Sequence, residues 1–563
     1  MQVLLFFIPS MFLFTFSKRH LGSAMAALWL SFTSHAQTTP AWTSARSLGT
    51  GVTTTTAFAV DAAGNSYEAG YFFNTAYVGG TLLTSAGGAD GYLAKYTPAG
   101  TLAWVRQLGS TGTDLIGDLT LDAAGTIYVT GRFTNSISLG NNVFLTGGAT
   151  VASKFLLVRY TPEGTPEWAQ QSSSDVNTYV ASTSVQVDAV GHVYVSGHFS
   201  ATLTVGGTTL TTATRQPEVF LARFTTATGA LQSLASVLAY QPVISTLTYY
   251  SPKVVLAPGG AFYLLTTFSH PVQLGSTTLT SRGGTDVLVT KYSAAGEIEW
   301  TQQFGGEGQD DLGDATVDAA GNVFVSGRFS GPATFGTTTL AGAGTFGNSD
   351  GFLAKLDLQG TLQWVQPGGG PGIDQFGGIR VDAAGNAYVV GTFQGPAQFA
   401  ANTLTSAGSV DIVVAAYTPQ GQLAWVQQAG GPGPDSGSFL GLDASGNVYV
   451  YGLFANACAF GPFTLTTMGG TYLARLGQRV LATRVTQFPT LRIYPNPATN
   501  KVHLPGLTSG SQVQLLDAVG RIARTTVLSS EASVSLEGVT PGVYTLRATD
   551  APGRTYTSRL VVQ

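Results

Sequence analysis

At 563 residues the chain exceeds what one ordinary globular core accommodates, so several domains or a repeat array are expected. With 72 glycines, 44 % apolar residues and only 10 % charged ones, the composition excludes a solvated helical bundle and favours strands joined by tight turns. A formal net charge of -4, without a Lys/Arg cluster able to follow a phosphate backbone, speaks against nucleic acid as a partner.

Two apolar stretches open the chain, Met1 to Phe16 and Leu21 to Phe32, around the basic Ser17-Lys-Arg-His20. Neither reaches the roughly 20 residues of a membrane-spanning helix. The second, followed by Ser34-His-Ala36, predicts a signal peptide over residues 1–36, with no transmembrane segment expected in the mature chain. Cys458 is the single cysteine, so no intramolecular disulfide can form. A small apolar packing role is expected for it.

A repeat then dominates. Asp318-Ala-Ala-Gly-Asn-Val-Phe-Val-Ser-Gly-Arg-Phe329 returns as Asp382-Ala-Ala-Gly-Asn-Ala-Tyr-Val-Val-Gly-Thr-Phe393, and the phrase also starts at Asp61, Asp122, Asp188 and Asp443. A degenerate copy at Ala257 makes seven, spaced 61 to 69 residues apart. Short runs of Val, Tyr, Phe, Leu and Thr bounded by Gly, Asn, Asp or Pro predict about four strands per unit, with Asp-Ala-Ala-Gly-Asn as a tight hairpin turn. Six tryptophans, Trp42, Trp104, Trp168, Trp300, Trp364 and Trp425, read as one position of the repeat, with Ser233 at the seventh. Each is expected to stabilise its own unit, leaving the third the weakest.

The array opens on the Trp42 strand and ends on Thr471-Tyr-Leu-Ala-Arg-Leu476, before any tryptophan strand. The strand count balances only if the first strand joins the last unit. The expected fold is therefore all-β: a seven-bladed β-propeller over residues 38–478, closed by its N-terminal strand. The phrases Asp-Gly-Phe-Leu-Ala-Lys, Gly-x-Leu-x-Trp, Gly-Gly-x-Gly-x-Asp and Val-Asp-Ala-Ala-Gly-Asn-Val-Tyr-Val together resemble the bacterial β-propeller repeats called SBBP. That resemblance, over about residues 42 to 477, implies a surface or secreted protein.

After a linker at 479–490 the periodicity changes, and alternating strands over 491–563 predict a small C-terminal β-sandwich. Its phrases Tyr494-Pro495-Asn496-Pro497-Ala498, Leu516-Asp517-Ala-Val-Gly520-Arg521, Gly542-Val-Tyr544 and Ser558-Arg-Leu-Val-Val562 closely resemble type A C-terminal sorting domains of the type IX secretion system of Bacteroidetes. The resemblance implies passage across the outer membrane, with that machinery as partner and release or surface attachment as outcome.

Chemistry is sparse. Gly305-Gly-Glu-Gly-Gln-Asp310, Gly369-Gly-Pro-Gly-Ile-Asp374 and Gly430-Gly-Pro-Gly-Pro-Asp435 open like calcium β-roll repeats, but each occurs once per unit, without the tandem copies a roll needs. Asp114, Asp310, Asp374 and Asp435 each lie eight residues before the hairpin aspartate that follows them. They are expected either to cap their own turns or to ring one mouth of a channel as calcium ligands. His192, His198 and His270 lack partners at zinc-ligand spacing. No nucleophile elbow, phosphate loop or Cys/His pair is present. A non-enzymatic module binding glycan or protein, without a cofactor, is the expectation; the alternative is an extracellular carbohydrate-active enzyme with a site over the channel.

Overall fold

The computed structural model describes residues 39–563 except 50, 142, 148–151, 174–178, 213–215, 241–250, 343–346, 468, 478–490, 518–521 and 551–553. The expected signal peptide and linker lie outside the described residues. The chain is all-β; among the described residues the only helical element is a three-residue 3-10 turn, Pro258–Gly260.

Each repeat phrase makes a tight turn between two antiparallel strands. In the first unit Asp61 Oδ1 accepts the amides of Ala63 and Asn65, while Oδ2 accepts Asn65 Nδ2 and the Tyr67 hydroxyl. The same arrangement recurs at Asp382 and Asp443, so the aspartate replaces the backbone bonds that the bend removes. The first unit then runs Gly51–Val60, Ser66–Val78, Thr81–Tyr96 and Leu102–Leu108 as one antiparallel sheet in chain order.

Later units form the outer part as a short hairpin, a separate one in Pro396–Phe399 with Asn402–Thr405, and one joined to the preceding unit's sheet in Ala333–Phe335 with Thr338–Leu340. Each such hairpin contacts the end of the preceding unit's fourth strand. Gly109 bridges to Ser138, Ser173 to Thr204, Gly369 to Gln398 and Gly430 to Ala459, while Gly306 pairs with Ala333. Here the glycines of the Gly-Gly-x-Gly-x-Asp phrase have their use. A Cβ on Gly306 would lie 1.9 Å from Pro332 O, and one on Gly431 would lie 1.8 Å from Ala457 O. The phrase lets two backbones touch.

Strand Ala41–Gly49 is antiparallel to Gly470–Gly477, completing the sheet of Ser436–Leu442 and Val448–Phe454. Its far end meets the first unit, where Gly79 N donates to Leu48 O. The first strands of the seven units, Gly51–Val60, Leu115–Leu121, Tyr179–Val187, Lys253–Leu256, Asp311–Val317, Gln375–Val381 and Ser436–Leu442, each pack against the next in chain order. The last of them packs against Gly51–Val60.

The tryptophan pattern differs from expectation in two ways. Trp104, Trp168, Trp300, Trp364 and Trp425 share one register position, opposite Lys95, Arg159, Lys291, Lys355 and Ala416. Trp42 instead pairs with Leu476, and Ser44 stands opposite Arg475. Trp42 thus stands where Leu102 stands in the first unit, on the face opposite to that of the other tryptophans, and packs on Gly461 as Leu102 packs on Gly79.

Second, four of the rings join neighbouring units. Trp104 packs on turn residue Gly164 of the next unit, Trp168 on Gly229, Trp300 on Gly360 and Trp364 on Gly421. The indole N–H of Trp168 donates to Thr226 O, and that of Trp364 to Pro419 O. In the third unit Leu231–Tyr240 is a strand of ten residues.

The C-terminal segment forms a four-stranded sheet, ordered Ile522–Val527, Gln512–Leu516, Gly542–Thr549, Thr555–Val562, with a separate pair Lys501–His503 and Ser533–Ser535. Its core, with Val502, Leu515, Leu546 and Leu560, draws only on residues from Leu491 onward.

Candidate functional site

A cavity of about 950 Å³ lies between the seven first strands, and every one of them lines it. Its wall mixes apolar residues with hydroxyl and amide side chains, among them Thr120, Thr183, Gln186, Thr316 and Ser438. Charge enters through Asp118, Asp311, Asp314, Lys253 and Arg380.

Asp314 anchors this group. One of its oxygens takes Lys253 Nζ and the Ala315 amide; the other takes Arg380 Nη1 at 3.0 Å and the Ile379 amide at 3.2 Å. Burial alone would raise its pKa, yet Lys253 and Arg380 hold it below the usual carboxylate range. Asp118 accepts the amides of Leu119 and Val185 at 2.8 and 2.9 Å, and burial, only partly offset by Lys253, pushes it up to about 6. Asp311 accepts Thr285 Oγ1 and the Arg328 Nε–H. Both oxygens of all three carboxylates are thus held by protein groups.

Sequence reasoning missed this cluster. Asp118 and Asp314 follow bulges in their strands, between Ile116 and Asp118 and between Leu312 and Asp314, and Lys253 and Arg380 depart from the repeat pattern. The available signal was the charge of Asp118, Lys253 and Asp314 four residues before the turn phrase, a position the other four units leave uncharged.

The four aspartates singled out as calcium ligands do not line this cavity. Each is buried, caps a bend and faces a second aspartate. Asp114 accepts the Ser110 amide, Asp310 those of Gly306 and Ser330, Asp374 those of Gly370 and Gln394, and Asp435 that of Ala455. Burial, together with Asp90 for Asp114 and Asp286 for Asp310, pushes both up to about 7. Asp374 beside Asp350 and Asp435 beside Asp411 rise to about 6.

Among the histidines, His192 Nδ1 contacts Asp188 Oδ2 at 3.0 Å, His270 contacts Ser269 Oγ, and burial pushes His198 down to about 4. No group of three or more metal-ligating side chains occurs among the described residues.

In the C-terminal motif, Asn496 Oδ1 accepts the Val561 amide at 2.9 Å and its Nδ2 donates to Arg559 O at 2.7 Å, tying the Tyr494-Pro495-Asn496-Pro497 bend to the last strand. Tyr494 is exposed and stacks on His503 with ring centroids 5.4 Å apart. Tyr544 is buried, its hydroxyl donating to Thr540 O at 2.8 Å, just before Gly542 opens the strand. Asp517 follows the strand Gln512–Leu516, and Gly520 lies outside the described residues.

Residues 492–563 match the family model of the secretion system C-terminal sorting domain. The chain carries a type IX secretion sorting tail. With this sorting tail it is a protein secreted to the cell surface or beyond, and no helix among the described residues is long and apolar enough to cross a membrane.

Away from the sorting tail the relatives are distant. An uncharacterized WD repeat-containing protein of Acanthamoeba polyphaga mimivirus is 23 % identical over 365 residues, 55 % of this chain but only 26 % of that protein. Among solved structures, a gluconolactonase of Xanthomonas campestris covers 78 % of this chain and 95 % of its own at 10 % identity and a TM-score of 0.31. PorZ, a surface component of the type IX secretion system of Porphyromonas gingivalis, covers 92 % of this chain and 100 % of its own at 10 % identity and a TM-score of 0.18. A polysaccharide lyase acting on ulvan covers 74 % and 90 % at 9 % identity and a TM-score of 0.38. Scores this low leave those activities with those proteins.

Proposed function

We propose that the chain is a Bacteroidetes protein built as a closed seven-bladed β-propeller of SBBP-type repeats, exported through a signal peptide and the type IX machinery, and that it is a binding or adhesive module for glycan or protein without catalytic activity. Pairing of Ala41–Gly49 with Gly470–Gly477 and the packing of the last first-strand on Gly51–Val60 support the closed ring. The observation that carries the binding reading is the state of the cavity carboxylates. Glycoside hydrolysis needs one carboxyl group to protonate the leaving oxygen and another to attack or to activate water. Asp118, Asp311 and Asp314 have both oxygens committed to amides, hydroxyls or cations, so none is presented to a substrate. Thr, Ser and Gln side chains set among apolar ones, around a charge-compensated centre, suit an uncharged, polyhydroxylated ligand.

The carbohydrate-active alternative has one observation in its favour. Asp118 is raised while Asp314 is held low, the divergence that acid and base roles require. Glycan-array screening of the purified protein, followed by a hydrolysis assay on each hit, separates the two. Binding that Arg380→Ala weakens, without product release, is the expected result. Product release abolished by Asp118→Asn overturns the binding-only reading, and binding indifferent to Arg380 overturns the cavity as its seat.

A further inference from the structure

The four-stranded sheet of the sorting tail has two edges, and they are treated differently. Along Thr555–Val562, Leu491 N donates to Thr557 O, Ala498 N to Val561 O and Gln563 N to Ala498 O, while Asn496 Oδ1 takes the Val561 amide. The bend at Tyr494 to Pro497 and its flanks thus cover that edge. At the opposite edge Ile522–Val527 pairs with Gln512–Leu516, and no described segment pairs with its outer side.

Free N–H and C=O groups along a bare edge recruit any extended chain, so such edges are normally blunted by Lys, Pro or an unpaired charge. Ile522-Ala-Arg-Thr-Thr-Val527 carries neither Lys nor Pro. Its one charge is already bonded, Arg524 Nη1 donating to Ser535 O at 2.9 Å and to Glu537 O at 2.8 Å, so a strand laid alongside would not leave it unpaired. A bulge between Ile522 and Arg524 leaves the rest of the strand in regular register. Just beyond the strand, Leu528 N donates back to Ser511 O. The two-residue alternation then points the N–H and C=O of Thr525 and Val527 outward. Apolar side chains flank them in solvent, with Ile522 57 % and Val527 60 % exposed.

We propose that Ile522–Val527 is the strand by which the tail is read: the type IX machinery lays an extended segment of its own along this edge, bonding to the outward backbone groups and placing apolar side chains against Ile522 and Val527. The proposal rests on the tail being what that machinery recognises. A second copy of the chain is the poorer occupant. Six residues give an edge only ~20 Å long. Two copies joined along it alone would bury well under the roughly 1,200 Å² of a stable, specific pair. A contact that short is weak and reversible, which suits a signal that has to leave its receptor.

Export of the full chain, followed by fractionation of expressing cells, is the test, with thermal unfolding as the check on folding. Thr525→Pro deletes an outward donor that the sheet itself does not use and blocks the edge. The fraction outside the cell should fall about tenfold, the loss of one backbone hydrogen bond or more, with the chain held in the periplasm. Thr525→Val, which keeps the backbone donor, should be exported like the natural chain. If Thr525→Pro does not fold, Val527→Lys puts a charge on the same edge from an exposed position and takes its place. Normal export of the folded edge variant overturns the proposal and leaves the tail as the signal. A chain ending at residue 478 that still leaves the cell removes the tail reading itself. A purified natural chain that dimerises, where Thr525→Pro stays monomeric, assigns the edge to a second copy and overturns the proposal as well.

Discussion

Ser233 stands opposite Arg223, at the register position that Trp300 occupies opposite Lys291. In the sister units an indole from that position covers the turn glycine of the next unit, whereas Gly296, the corresponding glycine of the fourth unit, has no atom within 4 Å of its would-be Cβ. The third and fourth units therefore meet across an uncovered patch. Ser233→Trp supplies the missing ring without displacing anything. An increase of about 1–2 kcal/mol in stability is expected, from burying roughly half an indole against the turn. Thermal unfolding checks it, and the reverse change Trp364→Ala, which uncovers Gly421, should cost more than the gain because it also orphans the Pro419 carbonyl.

At the scale of elements, the repeat is also broken by a buried charge where the first and seventh units meet. Glu68 occupies a position filled by Val129, Val325 and Val389 in sister strands, and Tyr451 of the last unit lies beside it. The Tyr96 hydroxyl donates to Glu68 Oε1 at 2.7 Å, while Thr55 Oγ1 links Tyr92 and Tyr451 at 2.7 Å each. Burial pushes Glu68 from 4.5 up to about 7, the two tyrosine hydroxyls offsetting only part of it. Folding thus takes up a proton here. The associated stability, on the order of 2–3 kcal/mol, is complete below about pH 4.5 and lost as pH rises through 7. The natural chain should lose more stability between pH 5 and 8 than Glu68→Gln, whose amide stays neutral; parallel Tm profiles for the two would refute this.

The repeat made the turn aspartates and the pairing of Ala41–Gly49 readable before any coordinates, because both follow from counting phases. It hid what depends on register. Asp90 recurs as visibly as Asp114, but their facing requires knowing that this part of the third strand lies beside the next unit's entry. Trp42 looked in phase, but a slip of two residues across a bulge puts it in the place of Leu102, on the other face. Asp118, Lys253 and Asp314 share one repeat position that is uncharged in the other units, and only the packing of first strands brings them together with Arg380.

For the whole molecule, the sorting tail and the repeat array answer to separate cores. The hydrophobic cluster around Val502, Leu515, Leu546 and Leu560 contains no residue before Leu491, and the clusters of the array contain none after Leu476. Cores that share no side chain unfold without costing each other burial, so removing one should leave the other's stability unchanged. A chain ending at residue 478 is therefore expected to keep the array's melting transition and its ligand binding while losing export. Fractionation of expressing cells decides the point: the shortened chain should collect in the periplasm and the full chain at the surface or in the medium. Residues 491–563 fused behind an unrelated periplasmic reporter should carry that reporter outside. If the shortened chain still leaves the cell, export is directed by the array, and the division of labour between the two cores is wrong.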